Sequence, residues 1–449
     1  MAGDLVAETK ALHVPAAYGE PPDGWTWSRL DDVSEGVFDC PHTTPMLTDA
    51  GPFVVRTQDI ITGVFRVDQA GHVSEETYAE RIARVTPSRG DLLYSREGTY
   101  FGIAAEVPAK TRVCLGQRMV LIRPDRRRLD FGFLRHWLNS PIMASHIHGY
   151  RDGSVAERLN LPTIRALPVL VPPIREQKAI AGVLGALDDK IECNRRMNAT
   201  LEAMARALFQ SWFVDFDPVR AKVDGRTPAH LDPATAALFP DSFQDSSLGH
   251  IPTGWETGSI LRQADLLSGG TPKTDVPSYW NGDVPWASAK DVSQCGEAFL
   301  VATERTITKQ GVEESSTKII PANATVVVAR GATTGRLTMF GHAMAMNQTC
   351  YGLRSKVTAP FALYCHAWHF IERLVQGGHG SIFDTITTST FEATDVLLAP
   401  KGLLLAFDKQ VTPLFQQVHA NLHQSRTLAA LRDALLPKLL SGELRVAGG

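Results

Sequence analysis

The sequence lacks the signatures of most membrane proteins and of several large enzyme classes. No apolar run approaches the roughly 18 residues that a membrane-spanning helix needs. The six cysteines are scattered without a CxxC pair, so we expect reduced thiols in a cytoplasmic protein. There is no GxxxxGK phosphate loop, no HExxH zinc motif and no GxGxxG after a predicted strand. These absences argue against a self-contained enzyme with a nucleotide, zinc or dinucleotide cofactor.

A strong net charge is also missing, since the formal value is −3, but basic residues are concentrated in two regions. Residues 81–128 contain eleven Arg or Lys against four acids, and residues 301–356 contain seven against three. Such concentrations are typical of proteins that bind a phosphate backbone. The alternative is that both regions are ordinary solvated surfaces with a chance excess of positive charge.

What the sequence does contain is an internal repeat. LEAMARAL (201–208) and LAALRDAL (428–435) lie 227 positions apart, and so do Pro173 and Pro400, which end LPVLVPP and DVLLAP. Upstream the offset drifts to 230–232, as loop insertions would cause. Each half therefore has one order: a Gly-Trp pair, a strand-rich domain, a proline stop and a long helix.

The long helix of each half has the pattern of a coiled-coil seam, with apolar residues at steps of three and four. Adding 227 to the first seam gives the second, and polar residues fall at the same height in both, where they can fix register. The seam positions are Ile180, Leu184, Leu187, Ile191, Asn194, Asn198, Leu201, Leu208, Phe407, Val411, Leu414, Val418, Asn421, Ser425, Leu428 and Leu435.

The globular parts are predicted to mix strands and helices. DLLYS (91–95) and ATVVVAR (324–330) are apolar, β-branched runs typical of strands. GFLRHWLNSPIMASHI (132–147) and LYCHAWHFIERLVQ (363–376) have helical spacing. The stretch 217–252, rich in Pro, Asp and Gly, predicts a surface linker with one short helix.

Two kinds of turn are candidates for contact with a partner. SGGTPK (268–273) places paired glycines before a lysine, and ARGATTGRL (329–337) has SREGTYFGI (95–103) as its counterpart. Glycine lets a backbone approach a partner closely, and Arg with Thr can contact phosphates or base edges. The alternative is that these turns only close hairpins. We interpret Trp25 and Trp255 as core residues, and His419 and His423 as plain surface or interface residues because no third metal ligand is evident.

Taken together, four motifs carry a resemblance to a known family. They are SGGTPKTDVPSYWNGDVPW, the segment 172–219 (PPIREQKAIAGVLGALDDKIECNRRMNATLEAMARALFQSWFVDFDPV), LFPDSFQDSSLGHIPTGW and LRDALLPKLLSGELRV. Over essentially its whole length, the chain resembles the specificity subunit of Type I restriction-modification systems.

The resemblance implies an α+β fold: two mixed α/β target-recognition domains joined by two long helices that pack as an antiparallel coiled coil, with a pseudo-twofold internal repeat. A helix over residues 180–212 would be roughly 50 Å long at about 1.5 Å per residue. The predicted segments are 1–173 (first target-recognition domain), 174–216 (first spacer helix), 217–250 (linker), 251–400 (second target-recognition domain) and 401–449 (second spacer helix).

The implied function is a non-catalytic reader of a bipartite double-stranded DNA target with a fixed gap. Two modification subunits would bring S-adenosylmethionine and methylate adenine, and restriction subunits would bring ATP and Mg²⁺. We therefore expect no cofactor, metal or catalytic residue on this chain. The alternative is a tandem coiled-coil adaptor that does not read DNA.

The candidate DNA-contacting residues come from the basic regions and from the glycine turns. The first half departs from the family pattern, because TTPM (43–46) lacks the paired glycines and SREGTYFG is one residue longer than its counterpart. The candidates are Arg84, Arg89, Arg96, Thr99, Tyr100, Gln117 and Arg118 in the first half, and Thr271, Lys273, Lys290, Arg330, Thr333, Thr334, Arg336 and Gln348 in the second.

Overall fold

The computed structural model describes residues 14, 19–61, 63–98, 100–148, 158–377 and 385–446. The chain divides into two compact units, the first formed by Met1–Lys190 with Thr427–Gly449 and the second by Ile191–Arg426. The segment boundaries given by the sequence stay a prediction. Among the described residues, no helix combines the length and the apolar composition that a membrane span requires.

The first unit contains two small sheets and a two-stranded ribbon. Its strands are β1 (Thr26–Arg29), β2 (Ser34–Asp39), β3 (Thr48–Val55), β4 (Gly71–His72), β5 (Leu92–Ser95), β6 (Ala104–Glu106), β7 (Val113–Leu115), β8 (Met119–Pro124) and β9 (Pro168–Val171). The sheets have the orders β2-β8-β5-β6 and β4-β3-β7, and the ribbon pairs β1 with β9. The β3–β7 pair is parallel and the other pairs are antiparallel.

The second unit repeats this strand order with additions at the edges. Its strands are β10 (Phe243–Ser246), β11 (Gly249–Pro252), β12 (Glu256–Ser259), β13 (Ala264–Ser268), β14 (Trp280–Ala287), β15 (Phe299–Leu300), β16 (Arg305–Ile307), β17 (Ile319–Ile320), β18 (Thr325–Val328), β19 (Leu337–Phe340), β20 (Met344–Met346), β21 (Cys350–Ser355) and β22 (Asp395–Leu398). The orders are β13-β21-β18-β19-β15 and β16-β14-β20-β17, with ribbons β12-β22 and β10-β11. Strands β15 and β17 extend the two sheets relative to the first unit.

Helices cover the sheets and join them. They are α1 (Glu75–Arg81), α2 (Phe131–Leu138), α3 (Pro141–His148), α4 (Leu161–Arg165), α5 (Ile174–Phe213), α6 (Asp217–Val223), α7 (Pro233–Ala237), α8 (Ala289–Gln294), α9 (Lys309–Glu313), α10 (Pro360–Gly377), α11 (Thr388–Ala393) and α12 (Lys401–Leu440). Short 3-10 turns lie at Asp31–Val33, Thr57–Asp59, Val67–Gln69, Ile260–Arg262 and Pro277–Tyr279.

The strand and helix predictions agree best with the structure where an apolar pattern is bounded by turn-forming or helix-breaking residues. The runs at 91–95 and 324–330 form β5 and β18, whose residues are all buried. The predicted helix at 132–147 divides into α2 and α3, because Pro141 has no N–H to continue the helical hydrogen bonding. Trp25 and Trp255 are 3% and 2% exposed, which confirms the prediction that both are core residues.

The stretch after α5 is more ordered than the predicted linker with one helix. It contains α6, α7 and the β10–β11 hairpin. Val219 is fully buried, and Phe239 packs edge-on against Trp212 with ring centroids 5.2 Å apart. The sparse apolar residues of this Pro- and Asp-rich stretch thus anchor it to the core of the second unit.

In the first unit, the beginning of α5 packs against the end of α12. Ile180 and Leu184 are fully buried in a core cluster that also contains Leu439 and Leu440. Further along, the Asp188 carboxylate accepts a hydrogen bond from Arg432 at 3.0 Å. Because residue numbers rise along one helix as they fall along the other, these two segments are antiparallel.

In the second unit, the end of α5 packs against the beginning of α12 in the same sense. Asn421 Nδ2 donates to Asn198 Oδ1 at 2.9 Å, and the rings of Phe209 and Phe407 lie 5.8 Å apart. None of the predicted seam residues is exposed in either unit. Ala205 and Phe209, which the seam pattern omits, are buried as well.

Candidate nucleic-acid interface

The glycine turn of the second unit begins where β13 ends and lies close to neighbouring backbone. A Cβ on Gly269 would stand 2.0 Å from the carbonyl oxygen of Asn347, so only glycine fits. Gly270 donates its N–H to Met346 at 2.9 Å and accepts from Trp286 Nε1 at 3.0 Å. These contacts position Thr271 beside the turn that precedes β21.

A threonine and a glutamine meet at this point in both units. In the second unit the Thr271 hydroxyl is hydrogen-bonded to the Gln348 side-chain oxygen. In the first unit Thr44 Oγ1 donates to Gln117 Oε1 at 3.1 Å. Both glutamines are exposed. Each hydroxyl thus holds the oxygen of a side-chain amide. The Gln117 amide also donates to the His42 carbonyl at 3.4 Å, which leaves its second N–H for a partner.

The turn between β18 and β19 presents charged and hydroxyl side chains to solvent. Gly331 and Gly335 adopt positive φ values of 99° and 88°, which favour glycine. Thr334 Oγ1 donates to the Gly331 carbonyl at 2.7 Å and closes the turn. The predicted contact residues on its surface are Arg330, Thr333 and Arg336, all exposed.

The corresponding turn of the first unit differs from the predicted contact surface. Arg96 is only 3% exposed, and its guanidinium donates to Asp39 Oδ1 at 2.8 Å. Tyr100 is 42% exposed and Arg118 is exposed beside Glu97, with 3.5 Å between Arg118 Nε and the carboxylate. Thr99 lies outside the described residues. Tyr100 and Arg118 are therefore accessible to a partner, whereas Arg96 is buried and stabilises the turn through its ion pair with Asp39.

The remaining basic candidates divide by whether an acid neutralises them. Arg89 lies 4.0 Å from Glu106, and Lys290 lies 2.7 Å from Glu304, whose hydrogen bond raises the pKa of Lys290. Within the part of the chain that the structure describes, other exposed cations have no acidic partner. They are Arg84, Lys273, Arg330 and Arg336.

One group of side chains has the spacing of metal ligands. Donor atoms of Asp39, Cys40 and His42 all lie within 4.8 Å of one another. Asp39 is already paired with the Arg96 guanidinium, however, and burial raises the pKa of the Cys40 thiol. A protonated thiol beside a cation is a poor metal site, because a thiol binds metal as the thiolate. We therefore interpret this group as structural, with Asp39 holding the turn that contains Arg96.

The two histidines considered from the sequence do meet, with 3.3 Å between the Nε2 atoms of His419 and His423. His419 Nε2 also contacts the Gly341 carbonyl oxygen at 3.0 Å. Among the described residues no third Cys, His, Asp or Glu completes a ligand group with them.

Two residues of this region were missed from the sequence. Thr44 was not selected; it lies 227 positions before Thr271, whereas neighbouring positions of the repeat are offset by 230–232. Asp39, the partner of Arg96, is 57 residues away along the chain and has no sequence signal. The alignment of Thr44-Pro45 with Thr271-Pro272 was the available clue for the first of these.

Comparison with known proteins matches two separate parts of the chain to one family. The family model described as Type I restriction modification DNA specificity domain matches residues 22–203 and again residues 252–402. The two matches together cover about three quarters of the chain.

Similar proteins span nearly the whole chain. The Type I restriction enzyme HindI specificity subunit of Haemophilus influenzae is 25% identical over 480 residues, which cover 94% of this chain and 99% of that protein. The MjaIX specificity subunit of Methanocaldococcus jannaschii is 23% identical and covers 95% of each chain. The crystal structure of a Type I restriction-modification S subunit from M. genitalium has the same fold, with a TM-score of 0.50 at 15% identity, covering 92% of this chain and 96% of that one.

Proposed function

This chain belongs to the Type I restriction-modification DNA specificity family, and on that premise we propose that it reads a bipartite DNA target with a fixed gap. Each unit reads one part of the target. The chain itself carries out no chemistry and directs the complex to its sequence.

The observation that carries this proposal is the exposed Thr–Gln pair at matching places in the two units. Thr44 with Gln117 and Thr271 with Gln348 occupy equivalent turns of equivalent sheets. A glutamine amide can form a bidentate contact with adenine in the major groove. A bonded threonine restricts the amide to one orientation, which lowers the entropy lost on binding.

Exposed cations in both units supply the second support. Lys273, Arg330 and Arg336 in the second unit, and Arg84 in the first, are exposed without acidic partners among the described residues. Phosphate contacts of this kind give affinity and orientation but no sequence information. In this proposal the cations bind the phosphate backbone of the DNA, while the glutamine amides and neighbouring side chains contact base edges.

We further propose that α5 and α12 form an antiparallel coiled coil with pseudo-twofold symmetry, which separates the two readers and sets the gap. Support comes from the contacts within each unit: Asp188 with Arg432 in the first, and Asn198 with Asn421 in the second. The gap between half-sites read by paired readers is fixed by protein geometry.

The proposed partners are two modification subunits and, in the full system, restriction subunits. The modification subunits bind S-adenosylmethionine and methylate adenine, and the restriction subunits use ATP and Mg²⁺. This chain positions them on DNA and binds none of these cofactors.

The proposal is tested by mapping adenine methylation across the genome of the native host, with and without the gene. We expect a split motif with a constant gap to lose its methyl groups on deletion. Complementation with Gln348→Ala should then relax base preference in one part of the motif only, and Gln117→Ala in the other part only. Gln310→Ala is the matched control, because Gln310 is an exposed glutamine of the second unit outside the candidate contacts, bonded to Glu314 at the end of its own helix, and it should leave the motif unchanged.

DNA reading is refuted if the wild-type host expresses the protein and its partners, and deletion of the gene nevertheless changes no methylated motif. It would favour an adaptor role instead. Loss of preference across both parts from a single glutamine change would refute the assignment of one unit to each part.

A further inference from the structure

The second unit contains a cavity that the reading of DNA does not use. It has a volume of about 420 Å³ and lies between the end of α5, helix α10 and strand β22. That volume falls in the range typical of small-molecule sites. Several rings line it, and the lining includes Phe209, Phe213, Phe216, His366, His369 and Leu397.

The first unit has an equivalent place, which the strand pairing identifies. Trp25 and Trp255 immediately precede the equivalent strands β1 and β12, so Trp27 on β1 corresponds to Thr257 on β12. Trp27 lies opposite Leu170, and Thr257 lies opposite Leu397, which lines the cavity.

The adjoining helices correspond as well. Helix α2 begins at residue 131 and α10 begins at residue 360, so Trp137 corresponds to His366. Trp137 Nε1 donates to the carbonyl of Pro168, whose counterpart Asp395 also lines the cavity. Trp137 and His366 therefore lie beside equivalent ribbon strands, β9 and β22, in the two units.

In the first unit this place is filled by the chain itself. The rings of Trp27 and Trp137 pack edge to face with centroids 5.7 Å apart and an interplanar angle of 63°. In the second unit a threonine and a histidine replace the two indoles, and the Thr257 hydroxyl turns to Ser247 at 3.2 Å. Where the first unit has an aromatic pair, the second has an open cavity with aromatic walls.

We propose that this cavity is a binding site for a small planar aromatic molecule of about the size of an indole. The ligand takes the place that the Trp27 ring occupies in the first unit and packs against the Phe209 and His366 side of the cavity. Offset and edge-to-face packing of aromatic rings adds to the gain from burying their apolar surface.

The polar groups of the cavity suit such a ligand. His366 is only 8% exposed, and burial lowers its pKa to about 4, so its ring is neutral at pH 7. A neutral imidazole can face an aromatic ring without leaving a charge buried. Arg373, exposed at the rim, is available to an acidic substituent of the ligand.

Titration calorimetry of the full-length protein with indole tests the proposal. We expect saturable binding with one indole per chain, because the equivalent place in the first unit is full. Thr257→Trp introduces the missing ring and should weaken indole binding by at least about tenfold. The matched control is Glu256→Trp, which adds the same side chain to the exposed opposite face of the same strand and should leave binding unchanged.

Absence of saturable indole binding by the wild type would overturn the proposal, and so would unchanged binding by a folded Thr257→Trp variant. His369→Trp provides a second obstruction at a half-buried position of the lining, should Thr257→Trp fail to fold. Unchanged indole binding by that variant would also contradict the assignment. Neither outcome depends on DNA binding.

Discussion

The buried amides between α5 and α12 give the most direct test of how the helices of the second unit are held. Asn198 and Asn421 are 1% and 4% exposed, and Asn421 Nδ2 donates to Asn198 Oδ1 at 2.9 Å. Gln417 in turn donates to Asn421 Oδ1 at 2.7 Å. Replacing Asn198 with leucine removes the acceptor and leaves a buried Asn421 N–H without a partner.

The expected cost follows from that orphaned donor. An unsatisfied buried polar group destabilises a fold by about 1–3 kcal/mol, whereas replacing both partners by apolar groups of similar shape is nearly neutral. Asn198→Leu should therefore lower the stability of the second unit by about 2 kcal/mol. The double variant Asn198→Leu with Asn421→Leu should recover most of that loss.

Thermal unfolding followed by tryptophan fluorescence measures both effects. For a unit of this size, 2 kcal/mol corresponds to a Tm lower by about 4–8 °C. Thr200→Leu is the control, because it introduces the same residue two positions away at an exposed site and should change stability by less than about 0.5 kcal/mol. The reasoning is refuted if Asn198→Leu melts with the control, or if the double variant is as unstable as the sum of the single ones.

Two further predictions concern half-buried carboxylates of α5 and their response to pH. Although burial opposes it, the neighbouring Arg135 and Arg432 hold the pKa of Asp188 below its usual value, so its stabilisation is present above about pH 4 and lost as pH falls. Asp188→Asn should lower the free energy of unfolding by about 3 kcal/mol at pH 7. In urea titrations, the stabilities of variant and wild type should converge at acidic pH, and a difference in stability that does not change with pH would contradict this. Burial raises the pKa of Glu202 to about 7 from 4.5, so its folded form binds the proton more tightly and stability is lost as pH rises through that interval. Glu202→Gln should be more stable than wild type at pH 8 by up to about 3 kcal/mol and equally stable at pH 4. Equal stability at both pH values would contradict a raised pKa of Glu202 in the folded state.

The seam of the long helices shows what apolar spacing predicts and where it stops. Ile180, Leu184 and Phe407 are fully buried, as the steps of three and four require. Farther along α5 the buried position moves from the predicted Leu208, which is half-buried, to Phe209, which is 6% exposed. A helix of 3.6 residues per turn drifts by about 20° per heptad against a strict seven-residue pattern. The missed residues are those that this drift brings inward.

The orientation of the candidate contact residues was harder to predict, because side-chain direction depends on distant partners. Arg96 and Arg330 occupy similar sequence contexts, yet Arg96 turns inward to Asp39 and Arg330 is exposed. The difference is set by an aspartate 57 residues away, which local spacing cannot reveal. Gln117 and Gln348 could be selected from the repeat, whereas the orientation that Thr44 gives to Gln117 required the structure.

The comparison of the two units separates what holds the proposed reading edge from what would select a sequence there. The Thr–Gln pair and the strands that carry it are the same in both units. The residues that follow differ, since Met46 is 83% exposed where the second unit has the exposed Lys273. An apolar side chain and a cation favour different groups on a nucleic acid, a base methyl or a stacked step against a phosphate or a guanine edge. If each unit reads one part of the target, the difference between the two parts lies in these flanking positions, because the shared pair would contribute the same contact to both.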